Sequence, residues 1–129
     1  NVEKIAVANP KTAPYGMASI EALKHANIFE KVESKLVYGE SISQAIQFAT
    51  TAADIGFVNT SAFYGQNMKK YTKGKEWIEV DPTLYTPIAQ GIVILKKAQN
   101  NAEAKAFYEF ILSPKAKDIF KHYGYLVHE

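Results

Sequence analysis

The fold is decided by residues 35–58, whose sequence is KLVYGESISQAIQFATTAADIGFV. Two short apolar runs, 35–38 and 53–58, flank a segment in which apolar residues recur at helical spacing. Ser41 precedes that segment and Gln44 stands three residues later, which is the pattern of a capping box at a helix N-terminus. The stretch therefore predicts a strand, a helix and a second strand, the βαβ unit of a parallel sheet.

The same alternation continues toward the N-terminus. Residues 2–8 have the pattern of a buried strand, and a helical rhythm follows the turn at 9–14 as far as about residue 27. Residues 28–34 are expected to form a short helical turn or loop. The sequence therefore predicts the α/β fold class, with a mainly parallel sheet flanked by helices.

The elements predicted beyond residue 58 are a helix over about 61–67, a strand over 77–80, a strand over 88–96, a helix after Asn101, and a helix from Ser113-Pro114 to Tyr123-Gly124. The character of the sequence changes near Pro87, from βα units with polar turns to one strand and two amphipathic helices. We therefore predict two domains, 1–86 and 87–129.

The composition excludes several classes of protein. The 129 residues include 15 basic and 13 acidic side chains and no cysteine. A disulfide framework and a cysteine-based nucleophile or metal site are thereby excluded. No apolar run reaches the roughly 18 residues of a membrane span. The chain opens almost directly into a predicted strand, so we expect it to contain no signal peptide.

Every basic side chain is a lysine, and the sequence has no arginine. A bound anion would therefore be held by backbone amides, hydroxyls, side-chain amides or lysine charges rather than by guanidinium groups. The lysines are scattered except for a cluster at 69–75, and the net charge is only +2. Because nucleic-acid binding needs a stronger basic stripe, we expect no nucleic-acid partner.

No set of residues has the spacing of a catalytic or metal centre. His25, His122 and His128 share no metal-binding spacing, and the carboxylates do not cluster. The motifs of serine hydrolases, zinc proteases and nucleotide-binding loops are absent. The sequence predicts surface histidines, no metal and no cofactor. It favours a binding protein over an enzyme, and a small α/β enzyme is left as a minor alternative.

Three predicted strands each lead into a helix whose first turn is polar or small, at 9–17, 39–44 and 58–62. In an open parallel sheet these junctions meet at one edge, and each helix N-terminus offers N–H groups and partial positive charge. Any one junction is better explained by ordinary capping, with Ser41 and Asn59 acting only as caps. Three in succession make an anion site as good an explanation as capping.

Residues at these junctions and elsewhere resemble those of the periplasmic molybdate-binding proteins, the solute receptors of bacterial molybdate ABC importers. The matching motifs are KIAVANP at 4–10, APYG at 13–16, KLVYGE at 35–40, IGFV at 55–58, AKAFY at 104–108, Ser113-Pro114, and YGY at 123–125. The resemblance covers nearly all of the chain. The Ser-Pro and Tyr-Gly motifs are less specific, since they also occur in related oxyanion and iron receptors.

The resemblance implies a periplasmic-binding-protein-like fold of type II, with two lobes that close on a tetrahedral dianion. Residues 1–86 match the second, ligand-binding lobe. Residues 87–129 match the crossover strand and C-terminal helices that normally belong to the first lobe. The N-terminal half of the first lobe, which supplies two hydroxyl-bearing ligand residues in this family, is expected to be missing, as in a truncated fragment.

Carried over residue by residue, the resemblance implies three ligand contacts: the backbone N–H of Tyr15, the backbone N–H of Ile42, and the side chain of Asn59. Several relatives have a tyrosine at the position of Asn59. The shorter amide can also donate to an oxyanion, either directly or through a water molecule, or Thr60 can replace it. All three positions lie at the junctions described above.

We therefore hypothesise a periplasmic solute-binding protein that captures molybdate or tungstate. It would close about a hinge near Thr86-Pro87 and dock on the membrane permease of an ABC importer. Selectivity against sulfate would depend on cavity size. The alternative is the effector-sensing domain of a transcription regulator with the same lobe architecture, which would carry a helix-turn-helix upstream.

The missing half of the donors has two expected consequences. The chain alone should bind oxyanions weakly or undetectably. The apolar faces of residues 88–129 should lack their usual partner, and self-association or domain swapping would cover them.

Overall fold

The computed structural model describes residues 1–127, so His128 lies outside the described residues. The strands are β1 (Ile5–Ala8), β2 (Leu36–Gly39) and β3 (Ile55–Gly56). The α-helices are α1 (Pro14–His25), α2 (Phe29–Val32), α3 (Ile42–Thr51), α4 (Ala102–Ile111) and α5 (Pro114–His122). Short 3-10 turns cover Glu33–Lys35, Thr60–Tyr64, Gln66–Met68, Pro82–Leu84 and Lys96–Ala98.

The strands form a parallel sheet in the order β2-β1-β3. Ile5 pairs with Leu36 on one side and with Ile55 on the other, so β1 is central. All four residues of β1 are buried, as expected for a parallel strand covered on both faces. The predicted α/β fold class, an open parallel sheet flanked by helices, is confirmed.

The connections between the strands run in opposite directions along the sheet. The chain passes from central β1 to β2, and then returns through α3 across β1 to β3 on the far side. Ligands of open α/β sheets bind outside the carboxyl ends of the strands, at the point where the direction of the connections reverses. The topology therefore marks the ends of β1, β2 and β3 as the edge to examine.

Several helix starts have the side-chain caps that the sequence predicts. The Ser41 side chain accepts a hydrogen bond from the Gln44 N–H, Asn101 accepts from Ala104, and Ser113 accepts from Ala116. Proline stands at the first helical position of α1 and of α5, where its missing N–H costs nothing. Local signals therefore define α3, α4 and α5 to within one or two residues.

Three predicted elements differ in the structure. The predicted helix at 61–67 is a pair of 3-10 turns, since the backbone of Gly65 is extended (ψ 151°) and separates them. In place of the strand at 77–80, Trp77 forms one isolated bridge to Lys73. The predicted strand at 88–96 pairs with no other segment in the described part of the chain, and a 3-10 turn follows it.

The chain divides into two compact units. The first contains residues 1–59 and 72–88, and the second contains residues 60–71 and those from 89 onward. The sheet and its buried residues belong to the first unit, whereas α4 and α5 pack against each other in the second. No helix described between residues 1 and 127 is both long and apolar enough to cross a membrane.

Candidate anion-binding site

The first helix start at the carboxyl edge of the sheet is built by Asn9, which directly follows β1. Its side-chain Oδ1 accepts a hydrogen bond from the Lys11 N–H at 3.0 Å, and its carbonyl oxygen accepts from the Ala13 N–H at 2.9 Å. These bonds turn the chain so that α1 begins at Pro14. The half-buried Tyr15 thus occupies the second helical position.

The second helix start is held by a capping box. Ser41 Oγ accepts from the Gln44 N–H at 3.2 Å, and Gln44 Oε1 accepts from the Glu40 N–H at 2.7 Å. The reciprocal bond goes to the residue before the N-cap rather than to the N-cap itself, a variation on the predicted box. Ile42 is the first residue of α3, where its N–H has no acceptor within the helix.

The two helix starts contribute to one buried cluster at the end of β1. Ala13 at the N-cap of α1 and Ala45 in α3 belong to one buried cluster with Ala8, and Ile42 packs against that cluster. A small residue also lets α1 lie close to the end of β1, since a Cβ on Gly16 would lie 2.1 Å from the Ala8 carbonyl oxygen. The structure thus places the predicted residues Tyr15 and Ile42 at neighbouring helix starts on one edge.

Two hydrogen bonds also join the loops that precede these helices. The Asn9 N–H donates to the Gly39 carbonyl at 2.7 Å, and the Thr12 hydroxyl donates to the Glu40 carbonyl at 3.2 Å. Sequence reasoning missed Thr12, because its partner lies 28 residues away. One signal could have indicated this role of Thr12: it is a hydroxyl-bearing residue in the loop that follows one of two predicted parallel strands.

Asn59 lies at the third junction, three residues beyond the end of β3. The Phe57 N–H donates to the Ala6 carbonyl at 2.8 Å, which keeps the chain beside β1 after the last paired residue. Asn59 is half-buried, and its Oδ1 atom is completely buried. The segment that follows is a 3-10 turn, so the helix start predicted there is wrong, and the third junction provides a side chain rather than a helix dipole.

The electrostatics of this edge favour an anion. The helices α1 and α3 have no acidic residue in their first turns, so no carboxylate within either helix offsets the partial positive charge of its N-terminus, and Glu40 directly precedes the N-cap of α3. Within residues 1–127, no group of three or more acidic or histidine side chains could hold a metal ion. The edge therefore offers neutral N–H donors rather than ligands for a cation.

Comparisons with known proteins agree with a binding role. Residues 1–126 match the family model described as bacterial extracellular solute-binding protein. The molybdate-binding protein ModA of Rhodobacter capsulatus is 42% identical over 127 residues, which are 98% of this chain and 48% of that protein. ModA of Azotobacter vinelandii is 44% identical over 122 residues, which are 94% of this chain and 47% of that protein.

The fold is also similar to a solved structure. The periplasmic molybdate-binding protein of Azotobacter vinelandii matches with a TM-score of 0.86 and 32% sequence identity, over all of this chain and 56% of that one. This chain therefore spans about half the length of the relatives it matches. Those relatives are named as solute-binding proteins and not as enzymes.

Proposed function

The chain belongs to the family of bacterial extracellular solute-binding proteins, and from this premise we propose that its sheet edge binds molybdate for uptake by an ABC importer. The observation that carries the proposal is the pairing of two helix starts at the carboxyl edge of a parallel sheet. The names of the relatives, which describe molybdate-binding proteins, supply the ligand.

In this proposal molybdate is held by hydrogen bonds without any covalent step. The N–H groups of Tyr15 and Ile42 donate to two oxygens of the tetrahedral dianion, and the side-chain amide of Asn59 donates to a third. Hydrogen bonds to an ionised acceptor are about twice as strong as those between neutral groups. Fixed N–H dipoles can therefore replace water around the anion without a cationic side chain.

Tungstate is the other anion that this site should accept, since it is also a tetrahedral dianion of the same charge. Sulfate would be discriminated by size, because its charge is the same. The contacts at Tyr15 and Ile42 use backbone atoms and are insensitive to side-chain identity. Asn59 is the one proposed contact that depends on the side chain, so it is the position at which this chain can differ from relatives with tyrosine.

The remaining assignments are proposals at the level of the whole protein. We propose that residues 1–86 form the lobe carrying these donors, that 87–129 belong to the other lobe, and that the hinge lies near Thr86-Pro87. The boundary between compact units at 88/89 supports a change of lobe near Pro87, although residues 60–71 group with the later unit. The protein would act in the periplasm, with the membrane permease as its partner and no enzymatic activity.

A titration followed by NMR tests the site directly. Sodium molybdate added to the 15N-labelled chain should shift the amide resonances of Tyr15 and Ile42 progressively, and sodium chloride at equal ionic strength should not. NMR suits this test because it detects weak binding, which is what we expect of this chain alone. Sulfate and tungstate titrations measured in the same way give the selectivity.

The variant Ile42→Pro sharpens the test, because proline is favoured at the first helical position yet has no N–H. Ser41 has extended backbone (φ −139°, ψ 165°), which is compatible with a following proline. Loss of a hydrogen bond to a charged group should weaken binding about tenfold or more. Ile42→Ala removes similar apolar contacts but keeps the N–H, so it is the matched control and should bind nearly as well as wild type.

Asn59→Ala tests the side-chain contact separately, and should weaken binding while leaving the shifts at Tyr15 and Ile42 in place. The proposal is wrong if molybdate shifts no amide at either helix start even at its highest soluble concentration, where weak binding would be visible. It is also wrong if Ile42→Pro, folded as judged by its spectrum, binds as tightly as Ile42→Ala.

We also propose that copies of this chain associate with each other. Among the described residues, large exposed apolar side chains are concentrated in the second unit, including Val93, Leu95, Phe107, Leu112 and Leu126. Val93, Leu95 and Phe107 line one groove, and apolar surface grouped in this way usually marks an interaction site.

A further inference from the structure

We propose that Thr12 is a positioning residue, whose hydroxyl fixes the direction of the Ile42 N–H from the neighbouring loop. This inference rests on the proposed anion site, because it explains how two separate helix starts can present donors to one ligand. Thr12 lies in the loop between β1 and α1, while the group that it holds lies between β2 and α3.

The carbonyl of Glu40 is the group that Thr12 holds. The Thr12 Oγ1 is 3.2 Å from this oxygen and 3.4 Å from the Asn9 carbonyl oxygen. A hydroxyl has one proton, so the shorter contact to Glu40 is the principal hydrogen bond. Threonine is also branched at Cβ, which limits its rotamers and reduces the entropy lost when the hydroxyl is fixed.

Glu40 is held from both sides. Its N–H donates to Gln44 Oε1 at 2.7 Å, which ties it to α3, and its carbonyl accepts from Thr12, which ties it to the α1 loop. The carbonyl belongs to the peptide unit between Glu40 and Ser41. Fixing the plane of that peptide restrains Ser41, the N-cap. The next peptide, which carries the Ile42 N–H, is held to α3 by the Ser41 carbonyl, which accepts from the Ala45 N–H at 3.0 Å, so the two restraints together set the direction of the Ile42 N–H.

The other bond between the loops does not fix this peptide. The Asn9 N–H donates to the Gly39 carbonyl at 2.7 Å, which continues the pairing of β1 with β2 by one step. That bond sets the separation of the two strand ends. Thr12 alone, among the described side chains, reaches from the α1 loop to the residue just before the α3 cap. Sites for charged ligands need their donors positioned to within about 0.5 Å, so this restraint should affect affinity.

Three variants test the role of the hydroxyl. Thr12→Val has nearly the same shape and removes the hydroxyl, whereas Thr12→Ser restores it. Thr50→Val is the matched control, since Thr50 is also exposed and its hydroxyl bonds to carbonyls within α3, far along the helix from the cap. Each variant is measured by the sodium molybdate NMR titration and by 15N relaxation of the amides of Ser41 and Ile42.

We expect Thr12→Val to weaken molybdate binding about threefold, which is less than the loss of a direct contact, because the hydroxyl acts on a donor and not on the ligand. It should also lower the order parameters of Ser41 and Ile42 below the value of about 0.85 that is typical of rigid backbone. Thr12→Ser should behave as wild type in both measurements. Thr50→Val should change neither, whatever its effect on thermal stability.

Two results overturn this inference. One is an affinity of Thr12→Val for molybdate that equals the affinity of a wild-type chain that does bind it. In that case the proposed function stands and the role of Thr12 is wrong. The other is unchanged order parameters in Thr12→Val, which rejects the restraint even if the wild-type chain binds no molybdate. Lowered order parameters without any wild-type binding would support the restraint while contradicting the proposed function.

Discussion

Asp54 is the residue at which one side chain joins the ends of two strands. Its carboxylate Oδ2 accepts from the N–H groups of Lys4 and Glu3, each at 2.8 Å, and its own N–H donates to the Lys4 carbonyl at 3.0 Å. The Lys4 N–H, followed by that of Glu3, lowers the pKa of Asp54 below its ordinary value. The carboxylate therefore holds the start of β1 beside β3 more strongly while it is ionised.

The lowered pKa predicts a loss of stability in acid. A group whose pKa is depressed in the folded state stabilises the fold above its unfolded pKa of about 3.9, and this contribution is lost as the pH falls through the folded pKa. Asp54→Asn should therefore be less stable than wild type at pH 7, and the difference should shrink in acid. Urea denaturation followed by circular dichroism at several pH values measures it.

The control for this prediction is Asp118→Asn, which changes an exposed aspartate on α5. It should leave the pH dependence of wild-type stability nearly unchanged. A constant stability difference between wild type and Asp54→Asn from neutral to strongly acid pH would contradict the assignment to Asp54.

At the scale of elements, prediction succeeded where local signals and the tertiary partner agree. The start of α3 follows from Ser41 and Gln44 alone, and the apolar run of β1 is continuous because strands pair on both sides of it. The start of α1 lacks a side-chain cap and depends instead on the Asn9 carbonyl, yet Pro14 still indicates it. Both helix starts of the candidate site were therefore predictable.

Prediction of strands failed where an apolar segment has no neighbouring segment to pair with. The run at 88–96 has the composition of a strand, but a strand needs a second segment to pair with, and none is present within residues 1–127. The alternating segment 77–80 likewise has no strand to pair with among the described residues, and Trp77 forms only an isolated bridge to Lys73. The role of Thr12 could not be predicted from the sequence, because it depends on the register between β1 and β2. Only the folded sheet defines that register.

The close approach of α1 to β1 gives a prediction at the scale of elements. A Cβ on Gly16 would lie 2.1 Å from the Ala8 carbonyl oxygen and 2.7 Å from its carbon, and backbone atoms cannot move aside as a side chain can. Alanine is favoured over glycine in a helix by about 1 kcal/mol. Overpacking typically costs about 1–3 kcal/mol, and a contact this short belongs at the upper end.

Gly16→Ala should therefore be destabilising in thermal and urea denaturation despite its better helix propensity. It should also weaken molybdate binding, because α1 and the Tyr15 N–H must move away from the sheet. Gly91→Ala is the control, since a Cβ there meets nothing within 4 Å, and its stability should change by less than about 0.5 kcal/mol. Equal stability of the two variants would contradict this account of the packing.

At the scale of the whole molecule, the two units differ in how well they bury apolar side chains. The first contains all four residues of β1 with Ala13, Ala22, Leu23 and Ala45, whereas Ala116 is the fully buried apolar residue of the second among those described. In the second unit Ile92, Val93, Ile94 and Leu95 line a groove with Phe107 and Tyr108, and Val93 is 78% exposed. The segment 88–94 thus presents apolar side chains and has no paired backbone among the described residues.

An apolar segment with unpaired N–H and C=O groups can pair with another chain, as the edge strand of a sheet does. We therefore expect the chain to self-associate through this segment, to an extent that increases with concentration. Val93→Lys places a charge on its exposed face and should shift the population toward monomer, as charged residues do on natural edge strands. Light scattering coupled to size-exclusion chromatography, over a range of concentrations, measures the change in mass.

The matched control is Ile78→Lys, because Ile78 is also 78% exposed but lies in the first unit, outside the extended segment. If a general loss of surface hydrophobicity were responsible, both variants would reduce association equally. If the segment itself is the interface, Val93→Lys alone should do so, since the charge must then be buried against a second strand. A wild-type chain that remains monomeric at every soluble concentration would refute the self-association of this chain. The sheet would then be folded without a second copy of the chain.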